Sequence, residues 1–125
     1  MIIGVGIDII EVERVAEKVN KDSGFREKVF SPNEISFCEA KGPNQAQHYA
    51  ARFAAKEAFL KATGHGLQLS HELNEIEVVT NDDGKPEIHF RKKLANDLPK
   101  NWKVLVSLSH VQSTACAVVI IEFKN

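Results

Sequence analysis

Cysteine is scarce in this 125-residue chain: Cys38 and Cys116 stand far apart, form no C-x-x-C pair and have no metal-ligand spacing with the five histidines. Neither a disulfide framework nor a zinc site is indicated, and a reducing compartment fits. Long apolar runs are missing as well, since no stretch reaches the roughly 18 uncharged residues that a membrane span requires. The opening MIIGVGID lacks a basic segment and a small-residue cleavage site, so the expectation is a cytoplasmic, unprocessed chain with no membrane partner. Charge of one sign is also lacking. Sixteen Lys and Arg face seventeen Asp and Glu, a net charge of -1, without the basic excess of nucleic-acid-binding surfaces. There is no repeat, low-complexity segment or interdomain linker. What is present, 43% hydrophobic and 26% charged residues at this length, predicts one globular domain spanning 1–125.

The run Ile2 to Ile10 is β-branched and apolar apart from two glycines and Asp8, which predicts a buried strand. Val12, Val15, Ala16 and Val19 then recur at helical spacing up to a stop at Ser23-Gly24. Phe30-Ser31-Pro32-Asn33-Glu34-Ile35 predicts a helix start, with Ser31 as N-cap, Pro32 first in the helix, Glu34 closing a capping box, and Phe30 with Ile35 as staple. That helix should end at Gly42-Pro43. An alanine-rich long helix follows from Gln45 to Ala62, stopped by Gly64-His65-Gly66. Glu75 to Thr80 and Glu87 to Phe90 alternate around Asn81 to Pro86 as a hairpin does. A brief helix near Arg91 to Asp97 precedes two strands, Trp102 to Ser109 and Thr114 to Phe123, the last apolar enough to be covered on both faces. The class is α+β, with a mostly antiparallel sheet.

Asp8 stands inside an apolar strand, where an ionised carboxylate needs a cation, a basic partner or a set of donors. Glu57 and Lys61 lie four apart on the long helix, on a face that also carries Phe53, Ala54 and Leu60, so that face is not simply solvated. Two carboxylates from separate elements match what magnesium asks of a protein, with water and phosphate oxygens completing the octahedron. Lys61 is placed to neutralise a leaving phosphate. Gly64-His65-Gly66 offers backbone amides to a pyrophosphate, or simply caps the helix. Ser107-Leu108-Ser109-His110 puts two hydroxyls on one strand face and a histidine at its end, with no Ser/His/Asp triad in view. Arg14, Lys18 and Lys21 make a basic stripe on the first helix, with Phe25, Arg26 and Lys28 just after it, interrupted by Glu13 and Glu17.

Gly4-x-Gly6-Ile7-Asp8-Ile9 with Glu11 and Arg14, Phe30-Ser31-x-x-Glu34, Tyr49 to Ala58, Asn81-x-x-Gly84-Lys85-Pro86 and Ser107-x-Ser109-His110 occur in order over nearly the whole chain. As an ordered set they resemble the holo-acyl-carrier-protein synthases, the short branch of the 4'-phosphopantetheinyl transferases. The resemblance implies that family's fold and a magnesium-dependent reaction. In it a carrier-protein serine attacks the β-phosphate of coenzyme A, releasing adenosine 3',5'-bisphosphate in support of fatty acid synthesis. It puts the metal on Asp8 and Glu57 and the phosphate-contacting lysine on Lys61. It puts coenzyme contacts on Arg52, Gly64, Gly66, Ser109 and His110, with Asn81, Gly84 and Pro86 near the nucleotide and His110 among the catalytic groups. It makes the basic stripe, Arg14, Lys18, Lys21, Phe25 and Lys28, a dock for an acidic acyl carrier protein. It also implies a homotrimer with sites between subunits. Two departures stand out: His65 replaces a frequent threonine, and Ile10 stands where larger relatives have a second acid.

Overall fold

The fold is described from a computed structural model covering residues 1–21, 24–64 and 72–124. Strand β1 (Ile2–Glu11) runs directly into helix α1 (Val12–Lys21), followed by the short α2 (Phe25–Val29), α3 (Pro32–Glu39) and the long α4 (Gln45–Thr63). The hairpin β2 (Ile76–Thr80) and β3 (Pro86–Phe90), helix α5 (Lys92–Asp97), and strands β4 (Trp102–His110) and β5 (Thr114–Phe123) complete the order. The strands form two antiparallel sheets, a three-stranded one ordered β1-β5-β4 and the separate β2-β3 hairpin.

The start of α3 follows its local chemistry. The Ser31 hydroxyl accepts the Glu34 N–H, Glu34 accepts the Ser31 N–H, and Pro32 takes the first helical position, which satisfies donors that a helix start leaves orphaned. Helix α4 packs its alanines, Ala54, Ala55, Ala58 and Ala62, all buried, against the inner face of the three-stranded sheet. Small residues let backbones approach. Opposite them, a Cβ on Gly4 would fall 2.0 Å from the Ala62 carbonyl oxygen, and one on Gly6 1.9 Å from that of Ala58, so strand and helix meet main chain to main chain.

Two expectations change. The first strand buries only one face: Val5, Ile7 and Ile9 are 59%, 66% and 70% exposed. The last strand is likewise fully buried only at alternate residues, Ala115, Ala117, Val119 and Ile121. The reason is architectural, because one layer of helix covers one face of this sheet. Val5, Ile120 and Leu105 lie in register across the outer face, and the row through Ile7 and Val118 continues it. Helix α2 was not foreseen. It is five residues long, entered from Gly24 in the left-handed region without a side-chain cap, and its Phe25 ring rests near Phe30 and Phe53.

Candidate functional site

Two separate cavities border α4. Phe53, Glu57 and Lys61 recur every four residues on one stripe, while Arg52 and Lys56 form another, a single position round the helix.

The first stripe opens on a cavity of about 370 Å³ lined by Asp8, Ile10, Glu57, Phe53, Arg14, Lys18 and Phe25. Asp8 sits on the helix side of β1, between the outward-facing Ile7 and Ile9. Lys61 Nζ lies 3.0 Å from Asp8 Oδ1 and donates to the Ile7 carbonyl, also at 3.0 Å. Burial holds the Glu57 carboxyl above its ordinary range, the negative charge of Asp8 pushes it the same way, and Lys61 offsets part of the rise. The two carboxylates therefore feel each other, and one lysine does not neutralise them. Among the described residues no group of three or more His, Cys, Asp and Glu gathers. A cation placed here would find two carboxylate ligands, a donor set that suits magnesium with its retained waters better than a closed zinc site.

The second cavity, about 360 Å³, lies between α4, the hairpin turn and the end of β4. Arg52 is 2% exposed. It donates to Thr80 Oγ1 at 3.1 Å and lies 4.1 Å from the centre of the Phe37 ring. Its Nε has no hydrogen-bond partner, and no carboxylate among the described residues is paired with it. His48 stacks edge-on between Phe37 and His110 at 5.7 and 5.1 Å. Burial, then the positive fields of His110, Arg52 and Lys41, push its imidazole down to about 4. A concave, cationic pocket with a buried guanidinium that no described carboxylate neutralises suits an anion.

Asp8 and Glu57 thus line one cavity and Lys61 pairs with Asp8 beside it, whereas His110 sits in the second cavity with Arg52, Gly84 and Pro86. Ser107 and Ser109 share the outer face of β4, opposite Val118 and Cys116, and of the two only Ser107 borders that cavity. Asn81 borders the neighbouring groove, and its side-chain oxygen accepts the N–H groups of Asp83 and Lys85, so it shapes the turn. Gly64 caps α4 with φ of 79°, while His65 and Gly66 fall outside the described residues. On the basic side, Arg14, Lys18 and Phe25 line the acid cavity, with Lys18 Nζ 5.7 Å from the Phe25 ring centre. Lys21 and Lys28 are exposed beyond that lining, and Arg26 is engaged by Glu27 and Glu39.

Several residues escaped sequence reasoning. Phe37, Lys41, His48 and Thr80 belong to the second cavity, assembled from parts of the chain that no local pattern links. Lys56, with no exposed side-chain surface, pairs with Glu34 at 2.7 Å. Its one legible signal was a lone charge among alanines on a face otherwise destined for burial.

Comparison with known proteins gives these features a setting. The family model described as the 4'-phosphopantetheinyl transferase superfamily matches residues 4–119. A holo-[acyl-carrier-protein] synthase of Cytophaga hutchinsonii is 46% identical, with 100% of each chain covered. One from Syntrophus aciditrophicus is also 46% identical, over 98% of this chain and 97% of the other. Among solved structures, a holo-(acyl-carrier-protein) synthase from Bacillus anthracis in complex with CoA (3',5'-ADP) superposes with a TM-score of 0.82 at 35% identity, covering 99% of both chains.

Proposed function

The chain belongs to the 4'-phosphopantetheinyl transferase superfamily, and on that footing we propose that it moves the 4'-phosphopantetheine arm of coenzyme A onto a serine of an apo acyl carrier protein. Adenosine 3',5'-bisphosphate leaves, and the holo carrier serves fatty acid synthesis. The observation that carries the reading is the meeting of Asp8 and Glu57 in one cavity, beside Arg14, Lys18 and Phe25.

Two carboxylates alone would repel a diphosphate. Burial first and the charge of Asp8 second raise Glu57; two acids held this close want a countercharge, and a two-carboxylate donor set fits magnesium. When bound there, the ion supplies polarisation of the phosphorus centre and charge stabilisation. The carrier serine is the nucleophile, so the tasks left to this chain are holding, orienting and neutralising. Lys61 adds positive charge beside Asp8, where it offsets the negative charge that the leaving phosphate gathers. Arg52, with its unpaired Nε, receives the coenzyme's nucleotide end together with Lys41, His110 and the Gly84–Pro86 turn. Arg14, Lys18, Lys21, Phe25 and Lys28 receive the acidic carrier protein, which must leave after each turnover, so weak steering suffices.

The two cavities open toward opposite edges of the three-stranded sheet, one beside β1 and the other beside β4. A homotrimer that packs the exposed row of Val5, Ile7 and Ile9 brings the acid pair of one subunit to the coenzyme pocket of the next. The whole chain, 1–125, acts as one domain in the cytoplasm; no helix among the described residues is long and apolar enough to cross a membrane.

Intact-mass measurement of apo carrier protein after incubation with coenzyme A and magnesium tests the reading. A gain of one phosphopantetheine group is expected. Release of the bisphosphate without any carrier protein would instead make the chain a hydrolase, and a carrier of unchanged mass with intact coenzyme A would make it a binding module.

A further inference from the structure

A buried polar cluster lies behind the second cavity, and nothing in the reaction described above uses it. Lys56 donates to Glu34 Oε1 at 2.7 Å, to the Leu73 carbonyl at 3.1 Å and to the Ile76 carbonyl. Glu34 also accepts the Ser31 N–H on Oε1 and the Val78 N–H on Oε2, each at 2.9 Å. The Ser31 hydroxyl donates to Glu77. Lys56 and Glu34 have no exposed side-chain surface.

Desolvating two ions costs several kcal/mol each, and an apolar pair of similar volume often stabilises a core as well or better. Stability is thus a weak reason for this pair. Its partners suggest a better one. Ile76, Val78 and Thr80 alternate along β2. Lys56 binds the carbonyl of the first, Glu34 the N–H of the second, and Arg52, one turn before Lys56 on α4, the hydroxyl of the third. The two backbone groups are ones that β3 leaves free, so Lys56 and Glu34 stand in for a neighbouring strand along the inner edge of the hairpin. A two-stranded hairpin is marginal alone, and its apolar packing of Val78 and Ile88 into the core is non-directional. Directional bonds set register. The same hairpin carries Gly84 and Pro86, which face Arg52 and His110 across the cavity.

We propose that Lys56 is a positioning residue for coenzyme binding: with Glu34 it fixes the hairpin against α4 and so sets the width of the pocket between Arg52, His110 and the Gly84–Pro86 turn. It rests on the coenzyme reading of that pocket. Lys56 touches no substrate, since its ammonium is enclosed by Glu34 and two carbonyls; it acts through β2.

The test is Lys56→Met, which keeps the length and removes the ammonium, with Glu34→Gln as a gentler second variant. Each is assayed where circular dichroism shows it folded, for coenzyme A affinity by calorimetry and for transfer to apo carrier protein. The coenzyme Kd and KM are expected to rise about tenfold with kcat and the carrier KM unchanged, the signature of misplaced binding groups. A merely structural pair would lower the active fraction, so kcat would fall while the coenzyme KM held. That result, wild-type affinity in both variants, or failure of both to fold would overturn the proposal. A wild-type chain that binds coenzyme A but leaves the carrier unmodified would sink the transferase reading alone, with the affinity comparison still deciding this one. No binding by the wild type would end both.

Discussion

Helix α4 carries two lysine–carboxylate pairs five residues apart, and they differ in nearly every physical respect. Lys56–Glu34 is dry on both sides and 2.7 Å long; backbone carbonyls take the other two donors of Lys56, and a backbone N–H reaches each oxygen of Glu34. Lys61–Asp8 is longer at 3.0 Å, its lysine side chain is 58% exposed, and a second carboxylate, Glu57, raised first by burial and then by the charge of Asp8, stands beside it. The first pair is closed by the fold itself. The second is open, and its charge balance is left for a ligand to finish. One helix therefore holds both a closed ion pair and an open one, and the distinguishing mark is completeness of partners rather than residue type.

The sharpest way to break this contrast is at the open pair. Glu57→Gln should leave the fold intact and reduce magnesium-dependent kcat about a thousandfold, in keeping with several kcal/mol of lost charge stabilisation. Intact-mass kinetics across a magnesium titration measure it, and turnover retained at saturating magnesium would remove Glu57 from the site. Next in size is stability. Lys56→Met should cost about 3–5 kcal/mol in urea denaturation, because it strands a buried carboxylate, whereas Lys61→Met should cost less than about 1 kcal/mol. Equal losses would erase the distinction between the pairs.

The smallest expected effect is a titration. Because the folded-state pKa of Glu57 is raised above its ordinary 4.5, the folded chain binds more protons than the unfolded one between 4.5 and the raised value. The stability contributed by Glu57 is present below 4.5 and is lost as pH rises through the folded value. Asp8→Asn removes the repulsion but not the burial. The carboxyl should move part of the way back, still above 4.5, and the loss of stability with rising pH should shrink. Carbon NMR of the Glu57 carboxyl follows the shift; an unmoved titration in Asp8→Asn would mean that the acids do not interact.

How much of this could be read in advance depended on the range of the interaction. The capping box at Ser31 and Glu34 and the hairpin around Asn81 to Gly84 follow from neighbours in sequence. The acid pair was legible because each member broke a local pattern, Asp8 an apolar strand and the Glu57–Lys61 spacing a helix face that also carried Phe53. Glu34 defeats the same method: the box accounts for its Oε1, but its Oε2 binds Val78, 44 residues away. Helix α2 has no side-chain cap to announce it and is held by ring contacts from α4 and the start of α3. The division into two sheets was hidden too, because strand patterns say which faces are apolar and leave pairing partners unspecified.

Gly4 and Gly6 bear on how such a site endures. Since β1 rests on α4 through bare backbone at Ala58 and Ala62, the gap between the two carboxylates is gauged by peptide against peptide and not by any replaceable side chain. Substitutions that leave these backbone contacts in place are expected to leave that gap unchanged, so retuning the proposed cation would fall to the acids themselves.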